Sequence, residues 1–312
     1  MKTLLLLAAL AASPAFASAP DSDWQLVWGD EFDGNSLDES KWVLANDCWG
    51  GGNNERQCYT PDAANHRVTG GMLEIVARQE SHSGPAFPKD QRVPPEQRAA
   101  QNTKPFTSAR LTTAGKAAWL YGKVQVRAKL PLGQGTWPAI WMLPEEWAYG
   151  EWARSGEIDI MEAVNLGEPC ATCASGRENR VLGTIHFGGV PPSNRYIGDE
   201  TALDGDTAGF HTYEIEWNPD SITWRVDGKS FETRQSHEWH TLGSNRVGAP
   251  FDRRFHLILN LAIGGHLPEG RNSQGVAASG YPKTMVVDWV RVWQMAPAPR
   301  GVDAGNIGSQ QK

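Results

Sequence analysis

The segment Lys123-Val-Gln-Val-Arg-Ala-Lys-Leu130 alternates without a break: Val124, Val126, Ala128 and Leu130 fall on one face of an extended chain, and the charged and polar residues fall on the other. That is the pattern of a half-buried antiparallel strand. Comparable strand signals, set between turn residues, recur at 26–28, 72–78, 109–113, 137–143, 157–162, 181–187, 212–217, 255–263 and 285–293. Asp227-Gly228, between Trp224-Arg-Val226 and Lys229-Ser-Phe231, is a two-residue hairpin signal. Long amphipathic helical windows are nearly absent, with short turns expected only in 236–242 and 252–254. Strands without helices between them exclude a doubly wound sheet and a (β/α)₈ barrel. The expected fold is all-β, a jelly-roll sandwich of two stacked antiparallel sheets.

The chain has 312 residues, a length that a single all-β domain can fill once its ends are removed. Residues 1–17 have one early positive charge, a short apolar run and small residues near the end, which reads as a secretory signal peptide. Cleavage after Ala19 would leave Pro20 first, so Ala17 is the preferred site. No segment reaches the roughly 18–20 uninterrupted apolar residues of a membrane span, and a secreted or periplasmic protein is expected. The domain is then 18–295, with a polar surface loop over 79–103 and a Gly-rich, polar tail over 296–312 expected to be disordered.

A formal net charge of -7 argues against nucleic acid and anionic membranes as partners and suits a neutral substrate. The four cysteines, Cys48, Cys58, Cys170 and Cys173, read as two disulfides in an exported chain. Of the three pairings, Cys48 with Cys58 and Cys170 with Cys173 is preferred because each closes a short loop, while a four-cysteine zinc site is the rival reading. There are 14 Trp against 9 Phe and 6 Tyr. Indole rings can stack on the C–H faces of sugars and donate to hydroxyls, although any one of them can equally be a core residue.

In Gly156-Glu-Ile-Asp-Ile-Met-Glu162, Glu157 and Asp159 share one face of a strand, and regular pleating would put Glu162 on the other. A β-bulge at Ile160 or Met161 would return Glu162 to their side. Three converging carboxylates repel, and the repulsion raises the pKa of at least one of them. A retaining glycosidase needs such a set, one carboxylate attacking the anomeric carbon and another protonating the leaving oxygen. On this reading Glu157 is the nucleophile, Asp159 the helper that orients it, and Glu162 the acid/base. A solvated acidic edge strand and a calcium site are the competing explanations.

With these residues in place, the chain resembles glycoside hydrolase family 16, in its bacterial laminarinase (endo-β-1,3-glucanase) branch. The resemblance runs from Trp28-Gly-Asp-Glu-Phe-Asp-Gly34 through Asn53-Asn-Glu55, Gly135-Thr-Trp-Pro-Ala-Ile-Trp-Met-Leu143, the acidic hexapeptide, Thr184-Ile-His186 and Tyr213-Glu-Ile-Glu-Trp217 to Val287-Asp-Trp-Val-Arg-Val-Trp293. It implies a concanavalin A-like sandwich whose concave face forms the substrate groove, acting as a monomer on a β-glucan, with no cofactor for catalysis. The extra residue Met161 is similar to the bulged signature of the laminarinase-like branch and implies β-1,3-glucan cleavage, with mixed-linkage β-1,3-1,4-glucan as a secondary substrate.

The resemblance further implies sugar contacts by Trp137, Trp141 and Trp152, and a His186 near Glu162 that bonds the acid/base or a substrate hydroxyl. It also implies hydroxyl binding by Asn53 and Arg110 on the glycone side, although Asn53 can equally serve only its turn. A structural calcium is implied at Glu31 and Asp288 with a carbonyl near Gly71. Segments 164–179 and 79–103 depart from the family pattern, and the first is expected to wall one end of the groove. The alternatives are a non-catalytic glucan-binding module, which typically lacks one or both of the two Glu, and a hydrolase of agarose or carrageenan, the latter calling for a basic groove.

Overall fold

A computed structural model describes residues 23–89, 91 and 93–296. The signal segment 1–17 and, apart from Ala296, the tail 296–312 lie outside the described residues. The strands in chain order are β1 (Trp24–Asp30), β2 (Val43–Leu44), β3 (Gln57–Tyr59), β4 (His66–Thr69), β5 (Met72–Ala77), β6 (His82–Pro85), β7 (Gln101–Lys104), β8 (Phe106–Ser108), β9 (Arg110–Thr112) and β10 (Gly122–Lys129). They continue as β11 (Thr136–Pro144), β12 (Glu157–Glu162), β13 (Arg180–Gly188), β14 (Asn194–Ala202), β15 (Phe210–Trp217), β16 (Ser221–Val226), β17 (Lys229–Gln235), β18 (Phe255–Ile263) and β19 (Lys283–Met295).

Two antiparallel sheets stack as a sandwich. One has the order β17-β16-β15-β10-β19-β5-β4 with β1 also pairing β19, and the other has the order β14-β13-β12-β11-β18-β9-β2. The core between them is one cluster of alternating side chains: Val124, Val126 and Ala128 from β10 meet Ile158 and Met161 from β12 and Leu257, Leu259 and Leu261 from β18. Fully burying a large apolar side chain of this kind contributes roughly 1.5–3 kcal/mol, so period-two patterning on both sheets is what drives the layers together. Asp227 and Gly228 both take positive φ, as a tight hairpin of the I′ class requires.

Three local expectations change. The 79–103 segment is not only loop: β6 and β7 pair within it, and a 3-10 turn spans Pro95–Gln97. Its residues bury little, so no apolar alternation marked it; the hairpin is instead tied to Cys48, whose N–H donates to the Pro85 carbonyl at 2.7 Å. Residues 252 and 253 form bends and 254 is irregular, so no helical turn forms there, whereas a 3-10 turn does occur at Ser236–Glu238. One short helix, α1 (His266–Arg271), was unmarked because Pro268 and Gly270 are poor helix formers. It is tethered by the Arg56–Glu269 and Arg271–Glu200 ion pairs. Both disulfides form as preferred, Cys48–Cys58 and Cys170–Cys173.

Candidate active site

The site is built on β12, which lies between β11 and β13. On the β11 side Trp141 faces Asp159 and Ile140 faces Met161, so Ile160 has no partner. On the β13 side Asp159 faces Thr184 and Glu162 faces Leu182, three positions against two. This is the β-bulge that the carboxylate spacing demands, placed at Ile160, and it puts Glu157, Asp159 and Glu162 on the outer face while Ile158, Ile160 and Met161 are buried in the core.

A bulge interrupts the ladder, and its backbone needs other partners. Trp224, on β16 of the opposite sheet and completely buried, reaches across the core and its Nε1–H donates to the Asp159 carbonyl at 2.8 Å. The ring passes over Gly183 of β13, where a Cβ would lie 2.4 Å from Trp224 Cδ1. A side chain at that position and this hydrogen bond exclude each other.

Each outer glutamate accepts a hydrogen bond from an indole. Trp152 Nε1 donates to Glu157 Oε2 at 2.8 Å, and Trp137 Nε1 donates to Glu162 Oε1 at 3.0 Å. Trp137 is only 8 % exposed, so it holds the carboxyl more than it offers a face to a ligand. Trp141 and Trp152 keep partly exposed rings, and Trp141 Nε1 donates to Asn260 Oδ1 at 2.7 Å. His186 corrects the expected neighbourhood: register pairs it with Glu157, not Glu162. Its Nε2 lies 3.2 Å from Asp159 Oδ2 and 3.7 Å from Glu157 Oε1.

Burial is the first cause, and the Asp159 charge the second, of a rise in the pKa of both Glu157 and Glu162 to about 8. His186 and the indole N–H groups oppose the rise by favouring the charged forms. Burial also raises Asp159 to about 8, against the effect of its hydrogen bond with Glu157. At neutral pH such a triplet holds protons that isolated carboxyls would have lost. Groups this close titrate as a set, so the protons belong to the triplet rather than to one residue.

A polar network that the sequence did not single out extends the site across β11, β18 and β9. Asn260 of β18 accepts from Trp141 and donates through Nδ2 to the Tyr59 hydroxyl at 3.0 Å; that hydroxyl donates to Glu55 Oε2 at 3.3 Å. Gln57 Nε2 also donates to Glu55 Oε2, at 2.7 Å, and Lys104 Nζ donates to the Glu55 carbonyl. Asn260 and His256 are the two polar residues on the groove face of an otherwise apolar run, which is the signal that could have marked Asn260. Arg110 faces Asn260 in the register and lies 5.3 Å from the Tyr59 ring. Asn53 serves its turn, donating to the Gly50 carbonyl and accepting from His266 N–H, while its Nδ2 lies 3.4 Å from Glu55 Oε1.

The calcium set does not fit. Arg291 holds both Glu31 oxygens, at 2.8 and 2.9 Å, and Arg127 donates to Asp288, so the two carboxylates are already neutralised by guanidinium groups. Gly71 sits in the β4–β5 turn. Oxygen ligands committed to arginine are poorly disposed toward a hard cation.

The family model described as "Glycosyl hydrolases family 16" matches residues 85–290. The glucan endo-1,3-beta-glucosidase A1 of Niallia circulans is 43% identical over 86% of this chain, which spans only 38% of that protein's length. The glucan endo-1,3-beta-glucosidase of Cryptopygus antarcticus is 39% identical over 89% of this chain and 95% of its own. The solved laminarinase from Rhodothermus marinus superposes with a TM-score of 0.70 at 38% identity, covering 88% of this chain and 98% of that one.

Proposed function

The chain belongs to family 16 of the glycosyl hydrolases, and from that premise we propose that it cleaves internal β-1,3 linkages of β-glucans such as laminarin by retaining double displacement, with mixed-linkage β-1,3-1,4-glucan as a secondary substrate. The observation that carries this reading is the bulge at Ile160, which brings both glutamates to one outer face. Glu157, ionised, attacks the anomeric carbon as the glycosidic C–O bond breaks. Glu162, protonated, gives its proton to the departing oxygen, and the rise in its pKa keeps that proton in place near neutral pH. Water then attacks the glycosyl ester, Glu162 takes the water's proton, and Glu157 leaves as carboxylate. Asp159, on the same outer face two residues along β12, is the helper that keeps Glu157 oriented.

This chemistry uses two carboxyl groups and water and calls for no cofactor. The names of the relatives above support the substrate class, and the two disulfides fit an oxidising compartment reached by export, with the enzyme working as a monomer. No helix of the described residues is long and apolar enough to cross a membrane. The test is to incubate the protein with laminarin, lichenan and agarose and size the products. Oligosaccharides from laminarin that disappear in Glu157→Gln and Glu162→Gln are expected; release by both variants at the parent rate would place the active site elsewhere.

A further inference from the structure

The β14 edge of the groove sheet carries an exposed aromatic side chain with no assigned task. Tyr196 is 70 % exposed, and its register partner is His186, whose own partner is the nucleophile position Glu157. Its neighbour Ile197 packs against the core, so alternation turns Tyr196 to the same outer face as His186 and Glu157. The Tyr196 ring centroid lies 5.9 Å from that of His186, which lies 5.6 Å from Trp152, the indole bonded to Glu157. Three rings thus form a continuous line from the reacting carboxylate to the sheet edge.

Resting on the functional reading above, we propose that Tyr196 is the platform of a sugar subsite on the leaving-group side of the cleavage point, where the reducing-end part of a β-1,3-glucan lies across β13 and β14. The side follows from position. Arg110, expected on the glycone side, stands beyond β12 on β9, so a chain laid across the strands with its glycone there carries its leaving part toward Tyr196. Two strand spacings place the ring about 10 Å from the catalytic strand, beyond the reacting bond. An exposed phenol ring offers an apolar face to the C–H side of a pyranose and a hydroxyl to its rim.

The experiment compares Tyr196→Ala and Tyr196→Phe on laminarin and on an aryl β-laminaribioside, whose phenol leaving group puts no sugar on β14. Tyr196→Ala should raise KM for laminarin by about two- to tenfold, the scale of one aromatic stacking contact, while aryl glycoside turnover stays unchanged and Tyr196→Phe stays near the parent enzyme on both. Unaltered laminarin kinetics in Tyr196→Ala would overturn the proposal, as would an equal loss on the two substrates, which would put the residue on the glycone side or in the fold. A parent enzyme that cuts the aryl glycoside but not laminarin would overturn the functional reading, and the platform with it.

Discussion

Gly183→Ala perturbs the catalytic strand without touching a carboxylate. The added methyl carbon would stand 2.4 Å from Trp224 Cδ1 and 2.8 Å from both Cγ and Nε1, and the indole is fully buried, so it cannot swing clear. Overpacking of this kind costs about 1–3 kcal/mol. Moving Nε1 away from the Asp159 carbonyl removes a further 0.5–1.5 kcal/mol or so of net hydrogen bonding at the bulge. A combined loss of roughly 2–4 kcal/mol is expected in urea unfolding. Because Asp159 and Glu162 lie on either side of the bulge, a displacement near 1 Å should also lower kcat on laminarin by about 10²-fold. Trp224→Phe, which keeps an aromatic ring but lacks the N–H, should show a smaller stability loss with a clear fall in kcat. An unfolding midpoint and a kcat both unchanged in Gly183→Ala would refute the idea that the cross-core tryptophan holds the bulge.

Trp137→Phe removes a hydrogen bond that holds the pKa of Glu162 down, so the alkaline limb of the kcat/KM profile should move to higher pH; a limb moving the other way would contradict the assignment. The buried carboxyls are raised in the folded state, so folding favours their protonated forms: their contribution is fully present below the unfolded values near 4 and is lost as pH rises toward about 8. Asp159→Asn should therefore raise the melting temperature at pH 8 more than at pH 4 while impairing turnover, and an equal shift at both would count against this electrostatic cost. Replacing both Cys48 and Cys58 by Ala should cost about 3 kcal/mol in denaturant unfolding, since the loop that the bond closes also anchors the β6–β7 hairpin.

The sandwich was legible because burial imposes a period of two, and Val124, Val126 and Ala128 obey it with their side chains fully inside. The bulge was legible for a related reason: three carboxylates spaced as Glu157, Asp159 and Glu162 cannot share a face of a regular strand. The disulfides followed from short loop closures. What escaped notice depends on contacts between elements far apart in the chain. Trp137 and Trp152 look alike as aromatic residues, and only the folded arrangement shows that their N–H groups point at carboxylates. His186 could not be assigned to Glu157 rather than Glu162 until β13 was aligned with β12. Glu31 and Asp288 looked like free oxygen ligands because Arg291 and Arg127 meet them only after folding. Tyr196 lies on β14, an edge strand of polar and small residues, where little burial exists to impose a pattern.

The central claim is that Glu157 is the nucleophile of a retaining site. A β-1,3-linked oligoglucoside bearing fluorine beside the anomeric carbon and a good leaving group should form a long-lived ester with the enzyme. Peptide mass spectrometry of the inactivated protein is expected to find the sugar on Glu157, with no label in Glu157→Gln. A label on Glu162 or another residue, or turnover of this compound with no ester formed and inverted product, would contradict the account.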